Sequence, residues 1–173
     1  VNRMKLNPDK TDHSDARMLA ELAVANLIPK VWLPPKPVRE LRLLVRLRAD
    51  LVGRVRAIKT RLLGLLRNQR VTEPSREEIG GRWTQRWMRW LSGEAAVSEQ
   101  GRFALTMQLQ ELSDLRRHIH GVEGRLEEVT RDDGVVKRLR GIKGIGAVTA
   151  WTMRAMIGQF DRFANGKQLA RFC

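Results

Sequence analysis

The sequence predicts a mainly α-helical protein built on two long helices, followed by a glycine-rich turn between two shorter helices. Two stretches carry apolar residues in alternating steps of three and four, which is the spacing of a long packed helix or a coiled coil. The chain of 173 residues is 42% hydrophobic, so it can bury a core without a metal or a disulfide. Its single cysteine, Cys173, has no partner with which to form a disulfide.

The charge of the chain is strongly basic and unevenly distributed. Lys and Arg number 33 against 19 Asp and Glu, which gives a net charge of +14. Most of the excess lies in residues 38–70 and 135–173, which flank a mildly acidic middle. Such blocks point to a polyanionic partner, most simply nucleic acid, with an anionic membrane surface as the weaker alternative. No apolar run is long enough to span a bilayer, so we expect a cytoplasmic protein without a membrane partner.

Residues 1–33 contain the only candidate for metal chemistry. Thr11 is a suitable N-cap for a helix that continues to Pro29, and Asp12 and Asp15 lie in its first turn. Residues three apart share one face of a helix, so these two carboxylates can approach one Mg²⁺ ion. The alternative is that they only stabilise the start of the helix, because two carboxylates are too few for a complete two-metal site.

After a stiff, proline-rich connector, residues 38–70 are predicted to form the first long, basic coiled-coil helix. Its seam has eight positions over three heptads, of which seven are apolar and one is Arg48. The remaining surface of the helix is rich in arginine with few acids interspersed, which favours contact with nucleic acid. The alternative is an ordinary solvated face. The candidate contacts are Arg42, Arg46, Arg54 and Arg61.

The middle of the chain is predicted as a tryptophan-rich connector, residues 71–97, and a second long coiled-coil helix, residues 98–133. Trp83, Trp87 and Trp90 are spaced i, i+4 and i+7, which places them on one face of a short helix. Such a face is typical of core packing, and stacking on nucleic-acid bases is the alternative. The matching seams of the two long helices favour an antiparallel hairpin, a dimeric coiled coil, or both.

Near the start of residues 135–173, the sequence Gly141–Gly146 has the pattern of a helix-hairpin-helix motif. Glycines at 144 and 146 permit a tight turn and leave N–H groups open at the start of the next helix, where they can bind phosphate without reading bases. Lys143 can add a direct charge contact. Lys143, Gly144 and Gly146 are therefore candidate nucleic-acid-binding residues. The alternative is a close-packed helical turn that contacts no ligand.

Four stretches that occur in order along the chain are Lys10–Ala16, Val31–Pro35, Leu139–Gly146 and Ile157–Phe163. In this order, and around a long arginine-rich helix, they resemble the DEDD insertion-sequence transposases, which circularise and insert DNA. Some full-length members of this family are similar to RNA-guided bridge recombinases. The resemblance covers essentially the whole chain, although the middle third matches only in pattern.

The resemblance implies an N-terminal RNase H-like domain with four acidic metal ligands, of which Asp12 and Asp15 match the third and fourth. Residues 1–33 would be a remnant of this catalytic domain, and residues 135–173 would begin the C-terminal transposase domain. It also implies Mg²⁺ as the cofactor, DNA and, in some members, a guide RNA as partners, and a homo-oligomer formed through the coiled coil. The family's other two acids and its serine nucleophile find no match here. We therefore expect an internal fragment of a transposase or site-specific recombinase that binds DNA and is inactive alone.

Two other interpretations of the sequence stay open. A non-catalytic helical nucleic-acid-binding protein would use Asp12 and Asp15 only as helix-stabilising acids. A coiled-coil assembly module would use its arginines only for solubility, and its binding to DNA would be absent or insensitive to salt.

Overall fold

The computed structural model describes residues 11–28 and 31–172, and within them it contains eight α-helices and no strand. The chain divides at Pro34 and Pro35 into two compact units, which are described separately. The prediction of a mainly α-helical protein with two long helices is confirmed. The first unit contains α1 (Asp12–Val24), and the second contains α2 (Lys36–Asn68), α3 (Arg76–Ile79), α4 (Gln85–Gly93), α5 (Glu99–Thr130), α6 (Gly134–Arg140), α7 (Ala147–Ile157) and α8 (Gly166–Phe172).

Helix α1 starts where its capping residue predicts. The Thr11 side-chain oxygen accepts a hydrogen bond from the Ser14 amide at 3.2 Å, and the Ser14 hydroxyl donates to the Thr11 carbonyl oxygen at 2.9 Å. The helix ends at Val24, earlier than predicted, and Asn26 in the following turn has a positive φ of 55°. Pro29, the predicted stop, lies outside the described residues, as does Lys10.

Helices α2 and α5 form an antiparallel hairpin, one of the arrangements that the matching seams predict. Opposite ends of the two helices meet, because the Ser98 amide donates to the Gln69 side-chain oxygen at 3.2 Å. The interface is a continuous apolar core, so the seam of α2 is covered within one chain. Its buried residues from the two helices are Leu51, Ile58, Leu62, Leu66, Leu105, Leu112 and Leu115.

The connector between α2 and α5 folds over the end of the hairpin at which it joins the two helices. Trp87 and Trp90 of α4 are only 1% and 6% exposed and belong to the same core. The prediction that three tryptophans share one helix is wrong for Trp83, which lies before the N-cap Thr84 and has a φ of +71°. Its ring still packs on Trp87, with ring centroids 4.7 Å apart. Burial of Trp87 and Trp90 favours their packing role over base stacking.

The α6–α7 pair packs against the other end of the hairpin through a second apolar cluster. Trp151 of α7 is buried there together with Leu41 of α2 and Leu126 of α5. The Trp151 indole N–H donates to the Thr130 hydroxyl oxygen at 3.0 Å, which satisfies a polar group that would otherwise be buried without a partner. This cluster therefore fixes the position of the glycine-rich turn on the long hairpin.

Candidate nucleic-acid interface

The turn between α6 and α7 is tight and open to solvent on its outer side. The Ile145 amide donates to the Ile142 carbonyl oxygen at 3.0 Å, and Gly144 at the third position of this β-turn has a φ of +94°. A type II β-turn requires this conformation, which L side chains rarely adopt. No atom lies within 4 Å of where a Cβ would stand on Gly144 or Gly146. Another molecule can therefore approach the backbone closely at these two residues.

The start of α7 leaves its first amides without a side-chain cap, because the N-cap residue is Gly146. The exposed side chain of Lys143 lies in the turn just before them and forms no ion pair within the described part of the chain. Two basic residues of α6 are already paired: Arg140 with Glu127 at 2.7 Å and Lys137 with Asp132 at 3.4 Å. Lys143 is thus the cation of this turn best placed to meet an external anion.

Asp133 joins the two helices that flank the turn. One of its carboxylate oxygens caps α6 by accepting from the Val135 and Val136 amides at 2.8 and 3.2 Å. The other accepts from the Arg154 Nε of α7 at 2.6 Å. Partial burial of Asp133 opposes ionisation, but the hydrogen bonds from Arg154 and the two amides outweigh it and hold the pKa of Asp133 below its ordinary value. The ionised carboxylate therefore ties α6 to α7.

Of the four predicted arginine contacts on α2, Arg42 has a distinct environment. Its Nε donates to the Ala155 carbonyl oxygen at 2.6 Å, and its Nη2 donates to the Met156 carbonyl oxygen at 3.0 Å. These carbonyls belong to the last turn of α7, which favours a nearby cation. Arg42 therefore attaches α7 to α2, and these donors are committed within the chain.

The other three arginines, Arg46, Arg54 and Arg61, are exposed along α2. Arg54 and Arg61 are seven residues apart, so they lie on one face two turns apart. Arg46 lies about 80° around the helix from Arg54, given about 100° of rotation per residue. Arg54 and Arg61 therefore share one exposed face of α2, and Arg46 lies on a neighbouring exposed face.

Asp12 and Asp15 both lie in the first turn of α1, in the other unit, with Asp12 exposed and Asp15 half-buried. Across residues 11–28 and 31–172, no group of three or more His, Cys, Asp or Glu residues is close enough to hold a metal ion. Carboxylate oxygens are suitable ligands for Mg²⁺, but two of them do not form a complete site. The described residues therefore do not by themselves fit a two-metal centre.

Sequence reasoning did not single out Asp133, Arg154 or Thr130. Asp133 does carry a local signal, since an Asp before a helical pattern is a preferred N-cap. Nothing in the sequence indicates that Arg154 would be its partner, or that Thr130 would accept from Trp151. Both pairs depend on how α7 packs against the end of α5.

Comparison with known families matches both ends of the chain. Residues 1–69 match the model of the DEDD transposases of the IS110 type, described as "Transposase". Residues 136–173, which include the glycine-rich turn, match a second model, described as "Transposase IS116/IS110/IS902 family". The chain belongs to the IS110 family of transposases.

A curated protein of Sinorhizobium fredii named "Putative transposase y4qE" is 28% identical to this IS110-family chain over 164 residues. The match covers 92% of the chain but only 37% of that relative. The chain therefore spans less than two fifths of the length of the curated relative. No solved structure matches the chain. Among the described residues of this IS110-family chain, no helix is both long and apolar enough to cross a membrane.

Proposed function

We propose that this IS110-family chain is a DNA-binding part of a transposase or site-specific recombinase that moves an insertion sequence. The observation that carries the proposal is the open turn around Gly144, with exposed Lys143 beside the uncapped start of α7. Amide groups and a lysine can hold backbone phosphates without reading base sequence. We propose that Arg46, Arg54 and Arg61 add further phosphate contacts along α2.

The RNase H-like part of the proposal concerns residues 1–33. We propose that Asp12 and Asp15 contribute two carboxylate ligands to a magnesium site of the complete enzyme, as the family resemblance implies. Bound Mg²⁺ would supply charge stabilisation at a scissile phosphate. Because two carboxylates do not make a full site, we expect no strand cleavage by this chain alone. A supercoiled plasmid incubated with the chain and Mg²⁺ should remain uncut, and robust cleavage would contradict this expectation.

We further propose that the α2–α5 region supports a homo-oligomer and that a guide RNA is a second nucleic-acid partner. Because α5 covers the seam of α2 within one chain, self-association would use a surface other than Leu51 and Ile58. In domain terms, residues 38–70 and 98–133 are the coiled-coil helices, 71–97 the connector, and 135–173 the start of the C-terminal domain with its helix-hairpin-helix.

Titration of fluorescent duplex DNA with the chain at several salt concentrations tests the proposed interface. Lys143→Ala should weaken binding and reduce the slope of log affinity against log salt by about one, as the loss of one phosphate contact predicts. The control is Lys167→Ala, which removes the same charge from an exposed position on α8. If both variants weakened DNA binding equally, the turn would not be part of the DNA-binding interface. Absent or salt-insensitive binding by the unmodified chain would instead favour a coiled-coil assembly module.

A further inference from the structure

The connector between the long helices contains an open cavity of about 480 Å³. It lies near the C-terminal end of α2, whereas the glycine-rich turn is attached near the N-terminal end, roughly 40 Å away at about 1.5 Å per residue. It is therefore separate from the proposed duplex-binding turn. Its lining residues are Glu73, Pro74, Arg76, Ile79, Gly80, Gly81, Arg82 and Trp87.

The acidic residue of the cavity is fully engaged by its neighbours. Glu73 Oε1 lies 2.6 Å from Arg82 Nη2, and Glu73 Oε2 accepts from Arg82 Nε at 3.0 Å and from the Trp87 indole N–H at 2.9 Å. The hydrogen bond from Arg82 outweighs the effect of burial and holds the pKa of Glu73 below its ordinary value. Glu73 is thus ionised and fixes the Arg82 guanidinium at the cavity through Nε and Nη2, while Arg82 Nη1 makes no hydrogen bond within the described residues.

The second guanidinium of the cavity has no competing partner. Arg76 lines the cavity and forms no side-chain hydrogen bond or ion pair within the described part of the chain. The apolar part of the lining is formed by Pro74, Ile79 and Trp87. Two guanidinium groups beside a small apolar wall suit a ligand that combines a phosphate with a flat, weakly polar ring.

The backbone at the cavity is held in an unusual conformation. Gly80 has a φ of +74°, and Trp83 has a φ of +71°, which is uncommon for a bulky residue. The Trp83 ring is fixed between Trp87 and the Lys59 ammonium, which lies 4.8 Å from the ring centroid. Such strain persists where the surrounding packing enforces it, and it often marks binding sites. Trp83 therefore follows the two glycines of the cavity in a conformation that its contacts with Trp87 and Lys59 hold in place.

We propose that this cavity binds one unpaired nucleotide of a single-stranded DNA or RNA segment. The phosphate lies against Arg76 and Arg82, and the base lies against Pro74 and Ile79. A paired and stacked base of a duplex cannot enter, whereas an unstacked base can be held by arginine and apolar side chains. The proposal rests on the nucleic-acid-binding function proposed above, and it adds a second, strand-selective site.

Filling the cavity without changing charge is the most direct test. No atom lies within 4 Å of a Cβ placed on Gly81, and its φ is not in the left-handed region, so Gly81→Leu should fold normally and occupy the cavity. We expect about tenfold weaker binding of short single-stranded oligonucleotides in fluorescence anisotropy, with duplex affinity unchanged. Gly93→Leu on α4 is the matched control, because Gly93 also has open space around it.

Two variants that each remove one arginine distinguish a specific binding site from general electrostatic attraction of the nucleic acid. Arg76→Ala should weaken single-strand binding about tenfold, and Arg89→Ala, at an exposed position of α4, should change it by less than about twofold. Separate arms with single-stranded DNA and single-stranded RNA identify which strand supplies the nucleotide. Equal effects of Arg76→Ala and Arg89→Ala, or single-strand affinity unaffected by Gly81→Leu, would overturn the proposal. If the cavity proposal failed but duplex binding still depended on Lys143, the proposed DNA-binding function would stand. If the unmodified chain bound no nucleic acid at all, both proposals would be wrong.

Discussion

Arg48 of α2 and Glu123 of α5 form an ion pair across the helical hairpin, with both Arg48 Nε and Arg48 Nη2 2.7 Å from Glu123 Oε1. Their side chains are only 22% and 32% exposed, and Arg48 is the charged member of the predicted α2 seam. A partly buried polar pair within an apolar seam is suited to fixing the register of two helices. The pair therefore aligns α2 with α5 at the level of these two residues.

Replacement of one partner of this pair should cost more than replacement of both. Arg48→Leu leaves the Glu123 carboxylate half-buried without its partner, so we expect a loss of about 1–3 kcal/mol in the free energy of unfolding. The double variant Arg48→Leu, Glu123→Leu should recover most of this loss, because apolar groups can replace a partly buried ion pair at little cost. Urea denaturation of the two single variants and the double variant measures the coupling. Strictly additive losses would contradict the role assigned to the pair.

The stability of the second unit should fall in acid through Asp133. Because the folded-state pKa of Asp133 lies below its ordinary value, the unfolded chain binds more protons as the pH falls through the carboxylate range. The contribution of ionised Asp133 to the free energy of unfolding is therefore complete at neutral pH, and it is lost as the pH falls through the pKa of Asp133 in the folded state. Asp133→Asn keeps a side chain that can cap α6 but removes the charge. We expect it to lower the free energy of unfolding by about 1–2 kcal/mol at neutral pH and to flatten the acid dependence.

The matching control for the pH experiment is Asp132→Asn, since Asp132 is exposed and pairs with Lys137 at 3.4 Å. This variant should leave both the stability and its acid dependence nearly unchanged, as expected for a surface pair. Urea denaturation between neutral and acidic pH measures both variants. The same acid dependence for Asp133→Asn and the unmodified chain would show that Asp133 does not supply the linkage.

The Thr130 hydroxyl should stabilise the packing of α7 on α5, because it accepts a buried hydrogen bond. Thr130→Val keeps the shape but removes the acceptor of the buried Trp151 indole N–H, so we expect a loss of about 1–3 kcal/mol. Thr130 donates its hydroxyl to the Leu126 carbonyl oxygen at 2.7 Å, and Thr106 on the same helix donates in the same way to the Arg102 carbonyl oxygen at 2.9 Å, but Thr106 is exposed. Thr106→Val should therefore cost less than about 0.5 kcal/mol in thermal or urea denaturation. Comparable losses for the two variants would argue against the Trp151 contact as the cause.

The two glycines of the turn should respond differently to alanine. Gly144→Ala places a side chain at a φ of +94°, so we expect about 1–2 kcal/mol of destabilisation. Gly146→Ala occupies open space at a φ of −80° and should leave stability almost unchanged. Differential scanning calorimetry of both variants measures the two changes in stability. An unaffected Gly144→Ala protein would mean that the turn does not need its left-handed residue.

Periodicity in the sequence was sufficient to predict α2 and α5, because burial along one face imposes a regular apolar spacing that survives without knowledge of the partner. It could not supply the partner itself: Arg48 was recognisable as a seam position, but Glu123 was not recognisable as its counterpart. The error at Trp83 has a local cause. The Thr84 side-chain oxygen accepts from the Trp87 amide, so Thr84 is the N-cap of α4 and the helix starts at Gln85, two residues after Trp83.

Some features of the candidate site could likewise be predicted from the sequence and others could not. Exposure of Lys143 and open space at Gly144 and Gly146 follow from turn chemistry, which is local and readable in sequence. The attachment of Arg42 to the end of α7 could not be predicted, because its partners lie 113 and 114 residues away in the chain. The binding roles of these residues, and of Asp12 and Asp15, stay predictions.

The long sequence separation between Arg42 and Ala155 also constrains the order of folding. Arg42 and Leu41 reach their partners on α7 only after α7 has left the ribosome, whereas the core around Ile58 and Leu112 can close as soon as α5 is complete. We therefore expect the α2–α5 hairpin to form first during synthesis, with the start of α2 still uncovered. The α6–α7 pair can pack on it only afterwards, so synthesis that stops before α7 should leave Leu41 without its partners on α7.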